Sequence, residues 1–147
     1  MTATEILKQD HDEVAGMIEQ LESAEDGAQL QGPNLELFGK LKSALALHTL
    51  VEERVFYHPL ANLPETQDLI KESYKEHREV DEMLVKMSSP GKGWKALLSV
   101  LKSKIEHHVG EEEGELFPKA ERLLGRDQLE QMGREIENMK EGKSPTA

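Results

Sequence analysis

The sequence contains no cysteine, which excludes disulfide bridges and any site built on a thiolate. It also has no stretch near the roughly 18 consecutive apolar residues of a transmembrane helix, and its start, MTATEILKQDH, lacks the basic and apolar segments of a secretory signal. Basic residues are few, since 18 lysines and arginines stand against 29 aspartates and glutamates, for a formal net charge of −11. Nucleic acids and anionic membranes repel such a chain. We therefore expect a soluble, cytoplasmic protein with no nucleic-acid or membrane partner.

Turn-forming residues divide the 147 residues into long amphipathic segments. DGAQLQGPN, ANLPET and SSPGKG are rich in glycine, proline or asparagine, and between them apolar residues recur at the spacing of one helix face. The first helix is predicted to begin at Thr2 with the capping box TATE, and the second at an Asn34 N-cap, ending near Pro59. The pattern predicts an all-α fold, an up-and-down antiparallel four-helix bundle over residues 1–125.

A shorter helix is predicted after Gly125. The segment DQLEQMGREIENM places Leu129, Met132 and Ile136 on one side, so residues 126–140 should form a fifth helix packed on the bundle or on a partner. The closing residues 141–147 are expected to form a flexible tail.

Four of the six histidines lie within the apolar stripe of a predicted helix, one on each helix of the bundle. They are His11, His48, His77 and His108. The other two, His58 and His107, lie well off the stripe. At a rise of about 1.5 Å per residue, and with alternating helix directions, the four inward imidazoles fall at similar heights along the bundle. They can therefore converge.

A repeated motif adds two carboxylates to this group. HTLVEERVFYHP, which begins at His48, returns as HVGEEEGELFPK at His108, so Glu52 and Glu112 follow their histidines by four residues on the same face. Only Glu112 of the run GEEEGE is predicted to face inward. Two buried carboxylates without an inward cationic side chain favour a bound cation. The alternative is a polar core whose members hydrogen-bond one another without metal. It stays open because acids are common in this chain, and an acidic residue four positions after a histidine is a weak signal alone.

Four imidazoles and two carboxylates are too many donors for one tetrahedral zinc ion and suit two metals, with iron compatible. Such a centre could bind or reduce O2, peroxide or nitric oxide. The Glu-x-x-His pairs of ferritin-like bundles and the HExxH pattern of zinc proteases are both absent.

Four motifs follow one another along the chain: an early histidine on the first helix, HTLVEE on the second, EHREVD on the third and HVGEEEGELFP on the fourth. Together they resemble the haemerythrin-like, or HHE cation-binding, family over nearly the whole chain. The resemblance implies a non-haem di-iron centre of two iron ions (Fe2+/Fe3+), oxo- or hydroxo-bridged. The ligands that it implies are His11, His48, Glu52, His77, His108 and Glu112.

The sequence departs from the family's oxygen carriers, which have two histidines four residues apart on the third helix. Here Ser73 and Asp81 flank His77. The resemblance is therefore closest to the four-histidine bacterial and regulatory branches, associated with iron sensing, peroxide breakdown or the response to nitric oxide, and O2 carriage is not favoured.

The angle around the helix predicts whether three further side chains face the core. Asp81 is predicted to face inward, as a seventh metal ligand or as a partner that orients a histidine. Tyr74 also faces inward, where it could hydrogen-bond a bridging oxygen or be satisfied elsewhere in the core. Tyr57 lies nearly opposite His48 on a regular helix and is predicted to lie away from the metal.

Three classes of function remain open. One is a catalase-like or nitric-oxide-reducing oxidoreductase, with a small diatomic gas or peroxide as its ligand. Another is an iron- or oxygen-sensing module without turnover, and the last is an interaction protein with a metal-free polar core. We expect a monomer or a weak dimer.

Overall fold

The computed structural model describes residues 1–24, 30–88 and 93–142, and these form helices and turns without any strand. The predicted all-α bundle is confirmed. Its α-helices are α1 (Ala3–Glu22), α2 (Pro33–Val51), α3 (Gln67–Ser88), α4 (Trp94–Glu111) and α5 (Phe117–Lys140). A short 3-10 turn, His58–Leu60, leads towards α3. The predicted tail lies outside the described residues from residue 143 onwards. Among the described helices, none is both long and apolar enough to cross a membrane.

The first residues of α1 and α2 can be compared with the N-caps predicted from the sequence. The capping box at Thr2 is present, because its side chain accepts from the Glu5 N–H (3.3 Å) while its own N–H donates to Glu5 Oε1 (2.9 Å). The predicted Asn34 N-cap is wrong. Helix α2 begins at Pro33 with Gly32 as N-cap, and the φ of 59° at Gly32 favours glycine. Proline suits the first helical position, since its fixed φ is helical and its missing N–H needs no partner there.

Helices α2 and α4 each run into a single π-helical turn. The first π-turn is Glu52–Phe56 and the second is Glu112–Leu116, at the same place in the two copies of the repeat. The N–H of Tyr57 donates to the Glu52 carbonyl at 2.7 Å, and the N–H of Phe117 donates to the Glu112 carbonyl. Each turn holds one residue more than an α-helical turn, so the residues after it are rotated by about 100° relative to an unbroken helix.

Two apolar clusters lie along the bundle, and each helix of the predicted bundle contributes to both. The first contains Leu7, Val51, Ile70 and Leu116; the second contains Val14, Leu45, Val80 and Ile105. On every one of these helices the inward histidine lies between the two contributions. The histidines therefore form a polar layer between two apolar layers.

Helix α5 is interrupted at Gly125, whose φ of 80° and ψ of 163° are not helical. Beyond it, Leu129, Met132 and Ile136 are buried in the same cluster as the beginning of α1, so the predicted apolar face packs on the chain's own bundle. Gly133 allows a close approach, because a Cβ there would lie 2.2 Å from the Met1 carbonyl oxygen.

Candidate metal centre

The six side chains predicted as ligands are brought together in the polar layer. All are buried, with exposed fractions between 0% and 6%. They form two groups that share Glu52, and in each group one donor atom per residue lies within 4.8 Å of the others. The first group is His11, His48, Glu52 and Glu112, and the second is Glu52, His77 and His108.

The two carboxylates lie between imidazoles that come from different helices. Glu52 Oε1 lies 3.2 Å from His48 Nε2 and 3.1 Å from His77 Nε2. Glu112 Oε1 lies 3.0 Å from His11 Nε2 and 3.4 Å from His108 Nε2. Each carboxylate is therefore placed to connect two donors rather than to serve a single histidine.

Every inward imidazole is held from behind by a further carboxylate that contacts its Nδ1 atom. The four pairs are His11 with Glu113 (2.7 Å), His48 with Asp10 (2.9 Å), His77 with Glu53 (2.7 Å) and His108 with Glu76 (2.6 Å). When Nδ1 donates its proton to a carboxylate, Nε2 presents a lone pair on the other side of the ring. Histidines that bind metals have this arrangement in most proteins.

The unsatisfied polar atoms at the centre fit a bound cation. Among the described residues, His48 Nε2 and Glu52 Oε2 are buried without a hydrogen-bond partner. His77 Nε2 and His108 Nε2 face each other at 3.1 Å. Such groups are costly to bury in the absence of a partner. Metal ions would satisfy them, and the donor set of imidazole nitrogen and carboxylate oxygen suits iron.

The protonation of the metal-free site reflects the surplus of negative charge around it. Burial alone would lower the pKa of His48, but the charge of Glu52, the hydrogen bond to Asp10 and the charge of Glu112 together outweigh it, and the pKa is raised to about 10. The pKa of His108 is raised to about 11, chiefly by the charge of Glu112 against the same effect of burial. Burial would raise the pKa of Glu52, yet the charge of His48 and hydrogen bonds from the imidazoles hold it well below its usual range. Burial and the charge of Glu52 raise the pKa of Glu112.

Tyr57 was predicted to lie away from this centre, and that prediction is wrong. Its hydroxyl donates to Glu112 Oε2, and the hydroxyl oxygen lies 3.2 Å from Glu52 Oε1 and 3.3 Å from His77 Nε2. On an unbroken α-helix, nine residues after His48 correspond to about 180°. The first π-turn inserts one residue, which reduces the effective separation to about 80° and turns Tyr57 inward.

The outer carboxylates are not among the predicted site residues. Glu113, predicted to lie on the solvated face, is 36% exposed but also contacts His11 Nδ1. Glu53 and Glu113 follow their histidines by five residues in both copies of the repeat, and this matching acid pair was the available signal. Asp10 and Glu76 directly precede His11 and His77, a second matching feature. On a regular helix, a glutamate five residues after a histidine lies about 140° away from it. The helical angle alone therefore predicts that Glu53 and Glu113 face away from the centre.

Asp81 and Tyr74 are not among the converging donors. Asp81 is exposed and belongs to neither group of candidate ligands. Tyr74 is half-buried, and its ring packs against the Tyr57 ring with centroids 5.6 Å apart. The buried face of α3 is centred near Val80, and at 100° per residue Asp81 and Tyr74 fall just beyond its edge. The predicted inward face of α3 is therefore rotated about the helix axis relative to the face that is buried in the structure.

A small cavity touches all four inward imidazoles on the side away from Tyr57. Its other walls include Val14, Leu45, Val80 and Ile105, and its volume is about 30 Å³. Since roughly 10 to 15 Å³ of such space accommodates one water molecule, the cavity holds about two. On the opposite side, the ring of Phe117 stacks on His11 and the ring of Tyr57 on His77. The cavity therefore accommodates a ligand of two or three heavy atoms on the apolar side of the imidazoles.

Known proteins resemble this chain in family pattern and in fold. The family model described as the hemerythrin HHE cation-binding domain matches residues 2–120. A crystal structure of a hemerythrin HHE cation-binding domain-containing protein from Mycobacterium kansasii covers 97% of this chain and 89% of its own, with 24% identity and a TM-score of 0.76. That likeness bears on the fold. No curated protein sequence matches the chain.

Proposed function

Because the chain belongs to the hemerythrin HHE cation-binding domain family, we propose that it holds two iron ions in the buried centre and reacts there with peroxide or nitric oxide. O2 carriage is the less favoured use. His11 and His48 would hold one ion and His77 and His108 the other, with Glu52 and Glu112 between them. An oxo or hydroxo bridge, which the resemblance implies, is part of the same proposal.

The observation that carries this proposal is the double set of carboxylates. Two connect the inner Nε2 atoms and four contact the outer Nδ1 atoms, so each imidazole would keep its Nδ1 proton and offer Nε2 when a metal displaces the inner proton. A polar core without metal would leave His48 Nε2 and Glu52 Oε2 unsatisfied. The metal-free alternative therefore fits the arrangement poorly.

Iron would supply redox chemistry by cycling between Fe2+ and Fe3+ while exchanging electrons with the ligand. The chain's own residues would select the ligand and handle protons. The cavity accommodates very small molecules, and its aliphatic walls favour uncharged molecules over charged ones. Tyr57, whose hydroxyl lies among Glu52, Glu112 and His77, is the one hydroxyl in contact with these donors among the described residues, and it is placed to donate a hydrogen bond or a proton.

Two measurements on purified protein test the proposal. Elemental analysis should give two irons per chain. The loaded protein should convert two peroxide molecules to one O2 and two waters with turnover or, with two electrons from an added reductant and two protons, convert two nitric oxide molecules to N2O and water. His108→Ala should abolish both activities, whereas the control His58→Ala changes an exposed histidine outside the centre and should leave them intact. Protein that binds no iron after reconstitution would refute the metal assignment. Iron binding without turnover of either molecule would remove the enzymatic part.

The second candidate is a sensing module that responds to iron loading. It is favoured by the unusually high pKa values of His48 and His108, which indicate that the metal-free centre needs protons to balance its carboxylates. Metal binding would displace those protons and stabilise the bundle. A large rise in melting temperature on iron loading, together with absent turnover, would favour this function. Coincident melts of the two forms would exclude it.

A further inference from the structure

A second donor cluster lies outside the buried centre, where α3 and α4 pack at the surface. His107 Nε2 is 2.8 Å from Glu111 Oε1 and 3.3 Å from Glu76 Oε2. His107 and Glu111 are four residues apart on α4 and Glu76 comes from α3, and one donor atom from each lies within 4.8 Å of the others. The His107 side chain is 64% exposed, so solvent reaches the cluster directly.

Glu76 distinguishes this cluster from an ordinary surface ion pair. The residue is only 5% exposed, and its Oε1 accepts a hydrogen bond from His108 Nδ1 at 2.6 Å. Its other oxygen, Oε2, is buried and makes no well-aligned hydrogen bond, although it lies 3.3 Å from His107 Nε2. A buried carboxylate oxygen without an aligned donor is costly, and a cation at this position would remove the cost.

The neighbouring carboxylate lies close to it. Glu111 is half-buried, and one of its oxygens lies within 4.8 Å of an oxygen of Glu76. Two carboxylates held close together repel each other unless a proton or a metal ion lies between them. The exposed imidazole of His107 contributes a nitrogen donor to the same position.

We propose that Glu76, His107 and Glu111 bind one divalent first-row transition-metal ion at the surface, separate from the buried centre. One imidazole nitrogen with two carboxylate oxygens suits Fe2+, Mn2+ or Zn2+, and the exposed side leaves further positions to water. The site is joined to the buried centre through Glu76, since one of its oxygens would hold the outer ion while the other holds His108. Metal arriving from solvent would meet this site first on the α3–α4 face.

Titration with Zn2+ into protein whose buried centre is already loaded tests the site. Isothermal calorimetry should detect one additional Zn2+ per chain. His107→Ala and Glu111→Gln should each weaken it by about tenfold or more, since each removes a ligand. The matched control is Glu106→Gln, which removes the same charge from an exposed position of α4 and should leave the affinity unchanged.

Three results would overturn the proposal: no additional Zn2+ in the unmodified protein, full affinity in His107→Ala, or an equal loss in Glu106→Gln, which would indicate diffuse attraction to acidic surface. A measurement on the unmodified chain guards against variants that fail to fold. Added Mn2+ should broaden the NMR signals of the His107 ring and spare those of His58. Equal broadening of both rings would contradict the site. Because the buried centre is assayed separately by its metal content, failure here would leave the proposed function standing.

Discussion

The two halves of the bundle, α1 with α2 and α3 with α4, carry the same constellation of donors. In each half an acid and a histidine are adjacent on the first helix, and a histidine is followed by two glutamates and a π-turn on the second. The outer glutamate of each half holds the imidazole of the other half, Glu53 on His77 and Glu113 on His11. The donor geometry therefore depends on both halves together.

The halves differ at the residue directly after the π-turn. Tyr57 places a hydroxyl among the donors, whereas Phe117 stacks on His11 and offers none. They also differ behind the acid that precedes the inward histidine of the first helix in each half, because Lys140 of α5 donates to Asp10, while Glu76 faces His107 and Glu111. The repeat therefore builds the converging inner donors, and under the proposed function the differences around them would determine reactivity and access.

The largest effect is expected from removing one inward histidine in either half. His48→Ala and His108→Ala each delete a ligand and leave Glu52 and Glu112 buried with less compensation, so both should lose at least one of two metal ions per chain. Elemental analysis of the reconstituted variants measures this. Full loading of one variant and none of the other would break the equivalence of the halves.

The pH dependence of the metal-free protein should be nearly as large. His48 and His108 have folded pKa values raised to about 10 and about 11, against 6.5 without the fold. Their stabilisation is therefore fully present below pH 6.5 and is lost as the pH rises towards 10, at a cost on the order of a few kcal/mol. Chemical denaturation in the presence of a chelator, at pH 6.5, 8 and 9.5, should give a falling free energy of unfolding. A flat or rising profile would contradict the charged state of the site.

The outer carboxylates should have similar effects in the two halves. Glu53→Gln and Glu113→Gln each weaken the hold on an imidazole Nδ1, and loss of such a partner reduces metal affinity by about 10- to 100-fold. Competition with a chelator measures the affinity. The matched control is Glu115→Gln, which changes an exposed glutamate of the second π-turn and should have no effect. An equal loss in the control would mean that overall charge, not orientation, is responsible.

Exchanging the aromatic residues sharpens the difference between the halves. Tyr57→Phe keeps the ring that stacks on His77 but leaves Glu112 without its hydroxyl donor, at a cost of about 1 to 2 kcal/mol in the metal-free protein. Metal content should be retained, while the rate of peroxide or nitric oxide consumption falls. An unchanged rate would show that the hydroxyl has only a structural role. Phe117→Tyr is the reciprocal variant. Added to Tyr57→Phe, it should not restore the rate of peroxide or nitric oxide consumption.

The smallest effect is expected from Lys140→Gln. The Lys140 ammonium is partly exposed and donates to Asp10, which in turn accepts from His48 Nδ1. Removing the charge should cost under about 1 kcal/mol of stability and change metal affinity less than the outer-carboxylate variants do. A loss as large as that of Glu113→Gln would mean that α5 controls the site.

The sequence was sufficient for the bundle and for the six converging donors, because both depend on regular helical spacing. His48 and Glu52 lie one turn apart on any α-helix, and so do His108 and Glu112. Tyr57 and Glu113 could not be placed in the same way, since a π-turn shifts the helical phase of its neighbours and leaves no clear mark in the residue types. Asp81 was misplaced for a different reason, because its angle lies within about 40° of His77 and small errors in the buried face decide its exposure.

Anomalous diffraction at the iron absorption edge, on crystals of the iron-loaded protein, tests the central claim most directly. The account predicts two peaks per chain inside the ring of four imidazoles, one beside His11 and His48 and the other beside His77 and His108. A single peak elsewhere, or none in protein that has been reconstituted with iron, would contradict it.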